Sequence, residues 1–156
     1  MISLAAGEDL PSRERSVTRE DVLAYADASG DRNPLHQDDA FARSVGFPGV
    51  IAHGMFTMGH LASSVQHWIG PHAELRSMRA QFRSAVLLGD TIVARGHVRS
   101  FDESTGEVSL ELWVSIDRDG VVELPIKRAE AIAFLPDLAG RAAGPGADVE
   151  RDATDA

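Results

Sequence analysis

The chain has no cysteine, no long apolar run and few basic residues. Without cysteine it can form no disulfide, no thiolate zinc site and no cysteine nucleophile. No apolar run approaches the roughly 20 residues that cross a bilayer, and residues 1–10 lack the basic start and apolar stretch of a secretory signal. The 15 Lys and Arg against 24 Asp and Glu give a net charge of −9, which disfavours nucleic-acid binding. We therefore expect a cytoplasmic protein with neither a membrane span nor a nucleic-acid partner.

The 156 residues, 44% apolar and 25% charged, have the size and composition of one globular domain. A domain of this length buries about 68 to 70% of its unfolded surface, so one core is sufficient. From residue 139 onward Gly, Ala, Pro and Asp dominate, and no apolar periodicity remains. We predict a folded domain over residues 1–138 and a disordered tail over 139–156.

Local signals predict one strand and two helices in the first third of the chain. Residues 8–18 are typical of a short strand. Thr18 followed by Asp21 three positions later marks a helix start, and this helix should run to about residue 29. A shorter helix, capped by one of two consecutive aspartates, is expected over 38–46.

A longer helix is predicted from Gly54 to Ile69, where apolar residues recur at spacings of three and four. Gly70-Pro71 should end it. One buried stripe is expected along this helix, formed by Met55, Met58, Leu61, Ala62, Val65, Trp68 and Ile69.

The second half of the chain alternates apolar and polar residues, which predicts strands with one core face each. Breaks fall at 89–90, 104–106 and 119–120, and Asp119-Gly120 is a typical two-residue hairpin turn. A long helix followed by about four antiparallel strands predicts an α+β fold with the sheet wrapped around the helix. The apolar faces comprise Met78, Ala80 and Phe82 in one strand and Val108, Leu110, Leu112, Val114 and Ile116 in another.

The segment 25–42 carries a carboxylate and an imidazole, Asp31 and His36, five positions apart across a turn. Gly30 can adopt the positive φ that ends the preceding helix, and Pro34 disfavours helical backbone at the residue before it. Both side chains therefore lie on non-helical backbone and can converge. An Asp and a His in a turn are more often a cap and a surface residue, so it is the complete motif that favours catalysis.

This motif, Gly-Asp-x-Asn-Pro-Leu-His, followed by a helix with Gly54 at its start, resembles that of the MaoC-like family of (R)-specific enoyl-thioester hydratases and dehydratases. The match is specific over 25–42, and the weaker resemblance spans about 7–135. The resemblance implies a hot-dog fold with the motif on an overhanging segment. It also implies reversible hydration of trans-2-enoyl thioesters to (R)-3-hydroxyacyl thioesters, with coenzyme A or phosphopantetheine as part of the substrate and no separate cofactor.

The same resemblance carries the catalytic dyad onto Asp31 and His36 and an oxyanion-binding role onto Gly54. A free N–H at a helix N-terminus suits that role, because it favours negative charge and a glycine lets the substrate approach. The sequence does not decide which dyad residue is the base. A carboxylate with a reference pKa near 3.9 needs burial or a paired imidazole to deprotonate water at neutral pH, whereas a neutral His36 could accept the proton while Asp31 orients the water.

Further substrate contacts are expected around the dyad and on one strand. Arginine side chains on a strand are more often simply solvated, but they also suit the phosphates of coenzyme A or pantetheine. Asn33 has a competing role as a turn-former. The predicted substrate-binding residues are Asn33, His53, Met55, Phe56, Arg79 and Arg83.

Three histidines, His53, His60 and His67, recur every seven residues. At 1.5 Å per residue, successive members lie about 10.5 Å apart, which is too far for one ion to bridge. We therefore expect no metal, with His53 as a local hydrogen-bonding residue and the other two partly exposed. A serine that supports the site in some relatives could be Ser63 or Ser64, or absent.

Three alternatives stay open at this point. The chain could be a hot-dog thioesterase, one subunit of a heterodimeric dehydratase, or an enzyme that adds an amine or hydroxyl in place of water. A homodimer is expected, because a lone sheet of this kind leaves an edge and an apolar flank uncovered.

Overall fold

The computed structural model describes residues 4–139, in which one antiparallel sheet of five strands encloses a long helix. The strands are β1 (Asp9–Ser16), β2 (Glu74–Phe82), β3 (Thr91–Asp102), β4 (Glu107–Arg118) and β5 (Val121–Phe134), in the order β1-β3-β4-β5-β2. The helices are α1 (Arg19–Ser29), α2 (Asp39–Ser44) and α3 (Gly54–Ile69), with a 3₁₀ turn at Pro34–His36. Among these described residues, no helix is long and apolar enough to span a membrane. The predicted tail spans residues 139–156, and from residue 140 onward it lies outside the described part of the chain.

Helix α3 contacts all five strands and contributes much of the core. Its Leu61, Val65 and Trp68 are at most 2% exposed. The indole N–H of Trp68 donates to the carbonyl of Pro11 at 2.9 Å, which ties the helix to β1. Since each buried side chain of this size contributes about 1.5 to 3 kcal/mol, sliding α3 along the sheet would be costly.

The helix and turn signals in the sequence correspond to observed structure. Thr18 and Asp21 form a reciprocal capping box at the start of α1. Asp38 is the cap of α2. Asp119 and Gly120 adopt φ of 56° and 82° in the hairpin between β4 and β5, as a type I′ turn requires.

Two predicted core residues lie at the surface instead. Met55 is 54% exposed and Phe82 is 48% exposed. Met55 belongs to the first turn of α3, and the buried stripe begins one residue later, at Phe56. Phe82 ends the edge strand β2, where no further strand of the described chain covers it. Both side chains flank a cleft at the start of α3.

An ion pair between Arg118 and Asp90 joins the β4–β5 hairpin to the segment before β3. Arg118 donates twice to the Asp90 carboxylate, at 3.0 and 2.5 Å, and once to the carbonyl of Ala85 at 2.9 Å. The hydrogen bond with Asp90 raises the pKa of Arg118. Asp90 also accepts the N–H of Leu87 at 2.7 Å. These bonds hold the segment 84–90 in place.

We expect Asp90→Asn to lower the free energy of unfolding by about 2 to 4 kcal/mol, because it removes the more buried of the two carboxylates that Arg118 binds and leaves this partly buried guanidinium with Glu123 alone. Denaturant unfolding monitored by circular dichroism measures this. Asp27→Asn is the matched control, since the Asp27–Arg32 pair is 70% and 69% exposed and should contribute less than about 1 kcal/mol. Equal effects of the two substitutions would contradict the structural role of the Arg118–Asp90 pair.

Candidate active site

The motif segment is a turn that is held together by its own polar groups. Gly30, at φ 77°, ends α1 and donates its N–H to Ala26 at 2.9 Å. The Asp31 carboxylate accepts the N–H of Asn33 at 3.3 Å. The Asn33 side chain in turn accepts the N–H of Leu35 at 3.0 Å and starts the 3₁₀ turn. This places Asn33 as a turn-former, and His36 is the last residue of the 3₁₀ turn that Asn33 starts.

His36 has one ring nitrogen bound to the backbone and the other without a protein partner among the described residues. Its Nδ1 lies 2.8 Å from the carbonyl oxygen of Ile51. Because a carbonyl only accepts hydrogen bonds, Nδ1 must carry the proton. In the neutral ring, Nε2 therefore has a lone pair available to accept a proton.

His53 is buried beneath His36 and is only 2% exposed. The two imidazoles stack, with ring centroids 3.7 Å apart and an angle of 27° between their planes. His53 Nε2 lies 3.0 Å from the carbonyl oxygen of Asp31, to which it donates. Its Nδ1 is buried and has no hydrogen-bond partner within residues 4–139. The ring of Tyr25 also packs against His53, with the ring centroids 4.9 Å apart and the planes tilted by 50°.

Asp31, His36 and His53 form a polar cluster whose possible ligand atoms lie within 4.8 Å of one another. Spacing along one helix could not reveal this set, because it combines two segments. Each ring already uses one nitrogen on a backbone carbonyl. Stacked rings also direct their in-plane lone pairs side by side, whereas metal ligation needs lone pairs that meet at one point. We therefore interpret the cluster as acid–base machinery, and the absence of a metal stays a prediction.

Gly54 is the first residue of α3, and its N–H points out of the helix. Neither Gly54 nor Met55 donates its N–H to an acceptor in the described part of the chain, and His53 provides no side-chain cap. Free N–H groups at the positive end of a helix attract an anionic oxygen. A Cβ on Gly54 would lie 3.3 Å from the ring of Phe82, so the absence of a side chain keeps this approach open.

The position of Gly54 is set by the segment that leads into α3. Ala52 donates its N–H to Val86 at 2.8 Å, and the Asp39 carboxylate accepts the N–H of Val50 at 2.9 Å. The bond from Val50, aided by Arg19 at 2.5 Å, lowers the pKa of Asp39. Asp39 is thus a charged anchor for this segment.

Two clefts meet at Gly54. One, of about 270 Å³, contains Asp31, His36 and His53. The other, of about 370 Å³, extends past Thr57 and the segment 82–86. Both clefts have His36, Gly54 and Phe82 in their walls. A substrate in either cleft would therefore meet the imidazole and the helix N-terminus together.

The predicted site residues divide into two groups. Those that line the clefts are Asp31, His36, His53, Gly54, Met55 and Arg83. Phe56 lies in the core instead, 7% exposed and edge-on to Tyr25 at 5.9 Å. Arg79 is bound to the Glu130 carboxylate on the neighbouring strand, so its charge is already compensated. Neither of these two side chains lines the clefts at Gly54, and Asn33, whose side chain binds the turn, does not line them either.

Sequence reasoning did not assign a role to several residues that line the clefts. Tyr25 was visible as the aromatic residue of the motif. No sequence pattern pointed to Thr57 or Ser84 as site residues. Thr57 is an ordinary polar position within a helix, and Ser84 lies in an irregular connection.

The other polar residues of α3 lie away from the dyad. Ser64 is buried and donates to the carbonyl of His60 at 2.8 Å, and Ser63 is exposed. His60 is half-buried, which lowers its pKa, and its Nε2 lies 3.1 Å from the carbonyl oxygen of Arg13. His67 is exposed, so the three histidines of the seven-residue spacing have three different surroundings.

Comparison with known proteins identifies similar chains. Residues 4–116 match the family described as MaoC like domain. The chain is 29% identical over 125 residues to 3-hydroxybutyryl-CoA dehydratase of Methylorubrum extorquens, covering 76% of this chain and 79% of that protein. It is 31% identical over 130 residues to the mitochondrial 3-hydroxyacyl-[acyl-carrier-protein] dehydratase of Arabidopsis thaliana, covering 83% and 77%. Its structure is similar to that of the R-hydratase PhaJ1 from Pseudomonas aeruginosa, with a TM-score of 0.76, 26% identity, and 85% and 83% of the two chains covered. The predicted hot-dog fold is thereby confirmed.

We expect neutral His36 to carry its proton on Nδ1, the tautomer that free imidazole side chains populate less, because the Ile51 carbonyl accepts from that nitrogen. Long-range proton–nitrogen correlation spectra of the histidine rings measure this. The exposed His67 is the internal control and should show the ordinary Nε2–H form. Finding the Nε2–H form at His36 as well would remove the lone pair from the cleft and refute the assignment.

Proposed function

The chain belongs to the MaoC-like domain family, and we propose that it interconverts trans-2-enoyl thioesters and (R)-3-hydroxyacyl thioesters by adding or removing water. The prediction of a hydro-lyase of this family is confirmed by its relatives, which are named as dehydratases and an R-hydratase. The observation that carries the proposal is the meeting of three groups at one cleft wall. They are the Asp31 carboxylate, the free Nε2 of His36 and the unbonded N–H of Gly54.

In the hydration direction, the thioester carbonyl receives a hydrogen bond from the Gly54 N–H. Water attacks Cβ, its proton passes to His36 Nε2, and the electron pair of the double bond moves toward the carbonyl oxygen. The helix N-terminus stabilises the negative charge that develops there. The imidazolium then returns a proton to Cα, so that one water is added in total. Dehydration follows the same steps in reverse.

Asp31 and His53 have supporting but distinct roles in this scheme. The Asp31 carboxylate is exposed to the cleft, where it orients the water and stabilises the imidazolium. His53 touches the backbone of Asp31 and the ring face of His36, so it maintains the spacing of the dyad. In this scheme His36 is the base, which is the choice between Asp31 and His36 that the sequence left open.

Pairing of two copies is part of the proposal. Strands β1 and β2 are the edges of the sheet, and Met55 and Phe82 are exposed beside β2. An exposed edge with apolar residues nearby is a surface that oligomers cover. Heterodimeric hot-dog complexes occur among the structural neighbours, so a second type of subunit is the alternative. Light scattering of the purified chain, combined with an assay of enoyl thioester turnover, distinguishes an active homodimer from an inactive single subunit.

We expect Asp31→Asn and His36→Gln each to lower kcat by about 10² to 10⁴, or roughly 3 to 5.5 kcal/mol of barrier, because each removes a group that handles the water proton. Loss of the conjugated absorbance of crotonyl-CoA and the configuration of the product measure the reaction. Asp27→Asn and His67→Gln, both at exposed positions, are the controls. Wild-type turnover in either dyad variant would eliminate that residue from the mechanism, and release of free thiol would identify a thioesterase instead.

Gly54→Ala should lower kcat about tenfold or more, because the added methyl group crowds both the Phe82 ring and the oxyanion approach. Gly59→Ala is a matched control in the same helix, since a Cβ at that position would have no described atom outside the helix backbone within 4 Å. That control should keep full activity and gain about 0.5 to 1 kcal/mol of stability from better helix propensity. Full activity of Gly54→Ala would exclude this residue from oxyanion binding.

A further inference from the structure

Two hydroxyl groups lie in the larger cleft at Gly54, and the scheme of water addition gives neither of them a task. Thr57 and Ser84 carry these hydroxyls, and both residues line this cleft of about 370 Å³. They come from separate elements, since Thr57 belongs to α3 and Ser84 to the connection between β2 and β3. A ligand that fills the cleft would therefore meet a hydroxyl from each element.

The hydroxyl oxygen of Ser84 is shielded from solvent and has no hydrogen-bond partner in the described part of the chain. The backbone around it is fixed, because Arg83 donates its N–H to the carbonyl of Pro125 at 2.9 Å and Arg118 donates to the carbonyl of Ala85 at 2.9 Å. Burial without a partner costs a hydroxyl the hydrogen bonds that it makes in water. A ligand that supplies a partner would recover that free energy.

Thr57 is only 2% exposed and lies one helical turn beyond Gly54. Three residues along a helix rise about 4.5 Å, so these two residues share a face of α3. A threonine in a helix often bonds the carbonyl four residues earlier, which here belongs to His53. The backbone N–H of Thr57 reaches that carbonyl at 3.4 Å, but its hydroxyl bonds no described residue. The Thr57 hydroxyl is therefore available to a ligand in the cleft.

Much of the remaining wall of this cleft is apolar. It includes the side chains of Phe47, Ile51, Val86 and Pro125. Binding clefts of this kind select among apolar ligands by a small number of placed polar groups. A coenzyme or a carrier protein is too large for the cleft, so the carrier arm of a thioester must leave it toward solvent. The enclosed position of Thr57 therefore suits the acyl group.

The chemistry of the two hydroxyls determines which acyl substituent they fit. Each can donate one hydrogen bond and accept others, so together they match a group that does the same. A hydroxyl on the acyl chain meets this description. A carboxylate does not, because burying its charge beside two neutral groups is costly. Arg83, the guanidinium in the described wall, is exposed and already donates to Gln81 at 2.6 Å.

We propose that Thr57 and Ser84 bind a hydroxyl group on the acyl chain, so that the protein prefers enoyl thioesters that carry this group beyond the double bond. The inference rests on the proposed function, because it places the thioester carbonyl at Gly54. One helical turn separates Gly54 from Thr57, which corresponds to a substituent a few carbon atoms from the carbonyl. An acyl chain of the same shape without this oxygen leaves both protein hydroxyls unbonded, and such a mismatch lowers kcat/KM.

The test compares 5-hydroxyhex-2-enoyl-CoA with 5-methylhex-2-enoyl-CoA, in which a methyl group of similar size replaces the hydroxyl. We expect kcat/KM for one epimer of the hydroxylated ester to be higher by about tenfold or more. Thr57→Val combined with Ser84→Ala should bring this ratio to one or below. Ser63→Ala, at an exposed position of α3, is the control and should leave the ratio unchanged. A wild-type ratio of one or less for both epimers would overturn the proposal, as would a preference that the double variant keeps.

A second measurement is independent of turnover and of mutation. Calorimetry compares the binding of two unreactive saturated amides, the analogues of these esters in which NH replaces the thioester sulfur. We expect the Kd of the hydroxylated amide to be lower by about tenfold. That preference without hydration of any enoyl ester would refute the proposed function but support the acyl site. Hydration of both enoyl esters without the preference would refute the acyl site alone.

Two further results would contradict the proposal and identify a different ligand group. If the double variant weakened the binding of both amides equally, the two hydroxyls would contact the pantetheine arm that the amides share. If the corresponding amide of hexanedioate bound more tightly than the hydroxylated one, the site would select an acidic acyl group through Arg83.

Discussion

Burial of α3 against the sheet is the constraint on which the site depends. Leu61, Val65 and Trp68 are fully enclosed, and the Trp68 indole is bonded to β1. A helix held in this way cannot shift its first turn, so the free N–H of Gly54 stays where the preceding segment delivers it. The geometry of the candidate site is therefore a consequence of core packing, not of local chain stiffness.

The two histidines at the site show how burial separates structural and chemical roles. His53 is enclosed and holds the backbone of Asp31, while its ring supports His36 from below. His36 is only partly buried and has one nitrogen committed to Ile51, which leaves the other toward the cleft. His53 thus fixes the backbone at Asp31, and His36 keeps one ring nitrogen without a partner among the described residues. A buried polar group that orients a reacting group in this way is costly to remove, because its partners lose their bonds.

Charge is organised by pairing across the sheet. Arg79 and Arg99, on two different strands, share the carboxylate of Glu130. Arg118 has a structural use, since its bonds to Asp90 and Glu123 connect three segments. Lys127 and Arg128 of β5, where the register with β2 shifts, form no ion pair with a described residue.

Several features of this protein were determined by the sequence itself, because their signals lie within a few residues. The capping pair Thr18 and Asp21, the motif turn and the Asp119-Gly120 hairpin depend on local backbone preferences and short hydrogen bonds. The extent of α3 follows from its periodicity and from Gly70. The motif also identified the family, because its residue types and spacing encode a turn together with its chemistry.

Other features were decided only by the tertiary structure, because they join residues far apart in the chain. His53 reaches Asp31 across 22 positions, and Arg118 reaches Asp90 across 28. Whether an arginine on a strand is free or paired depends on the register of β2 with β5, and that register contains bulges that no alternating pattern predicts. The exposure of Met55 and Phe82 has the same origin, since a side chain is buried only where another element packs over it. Burial, pairing and the free nitrogen of His36 are properties of assembled surfaces, and a sequence specifies them only through the fold.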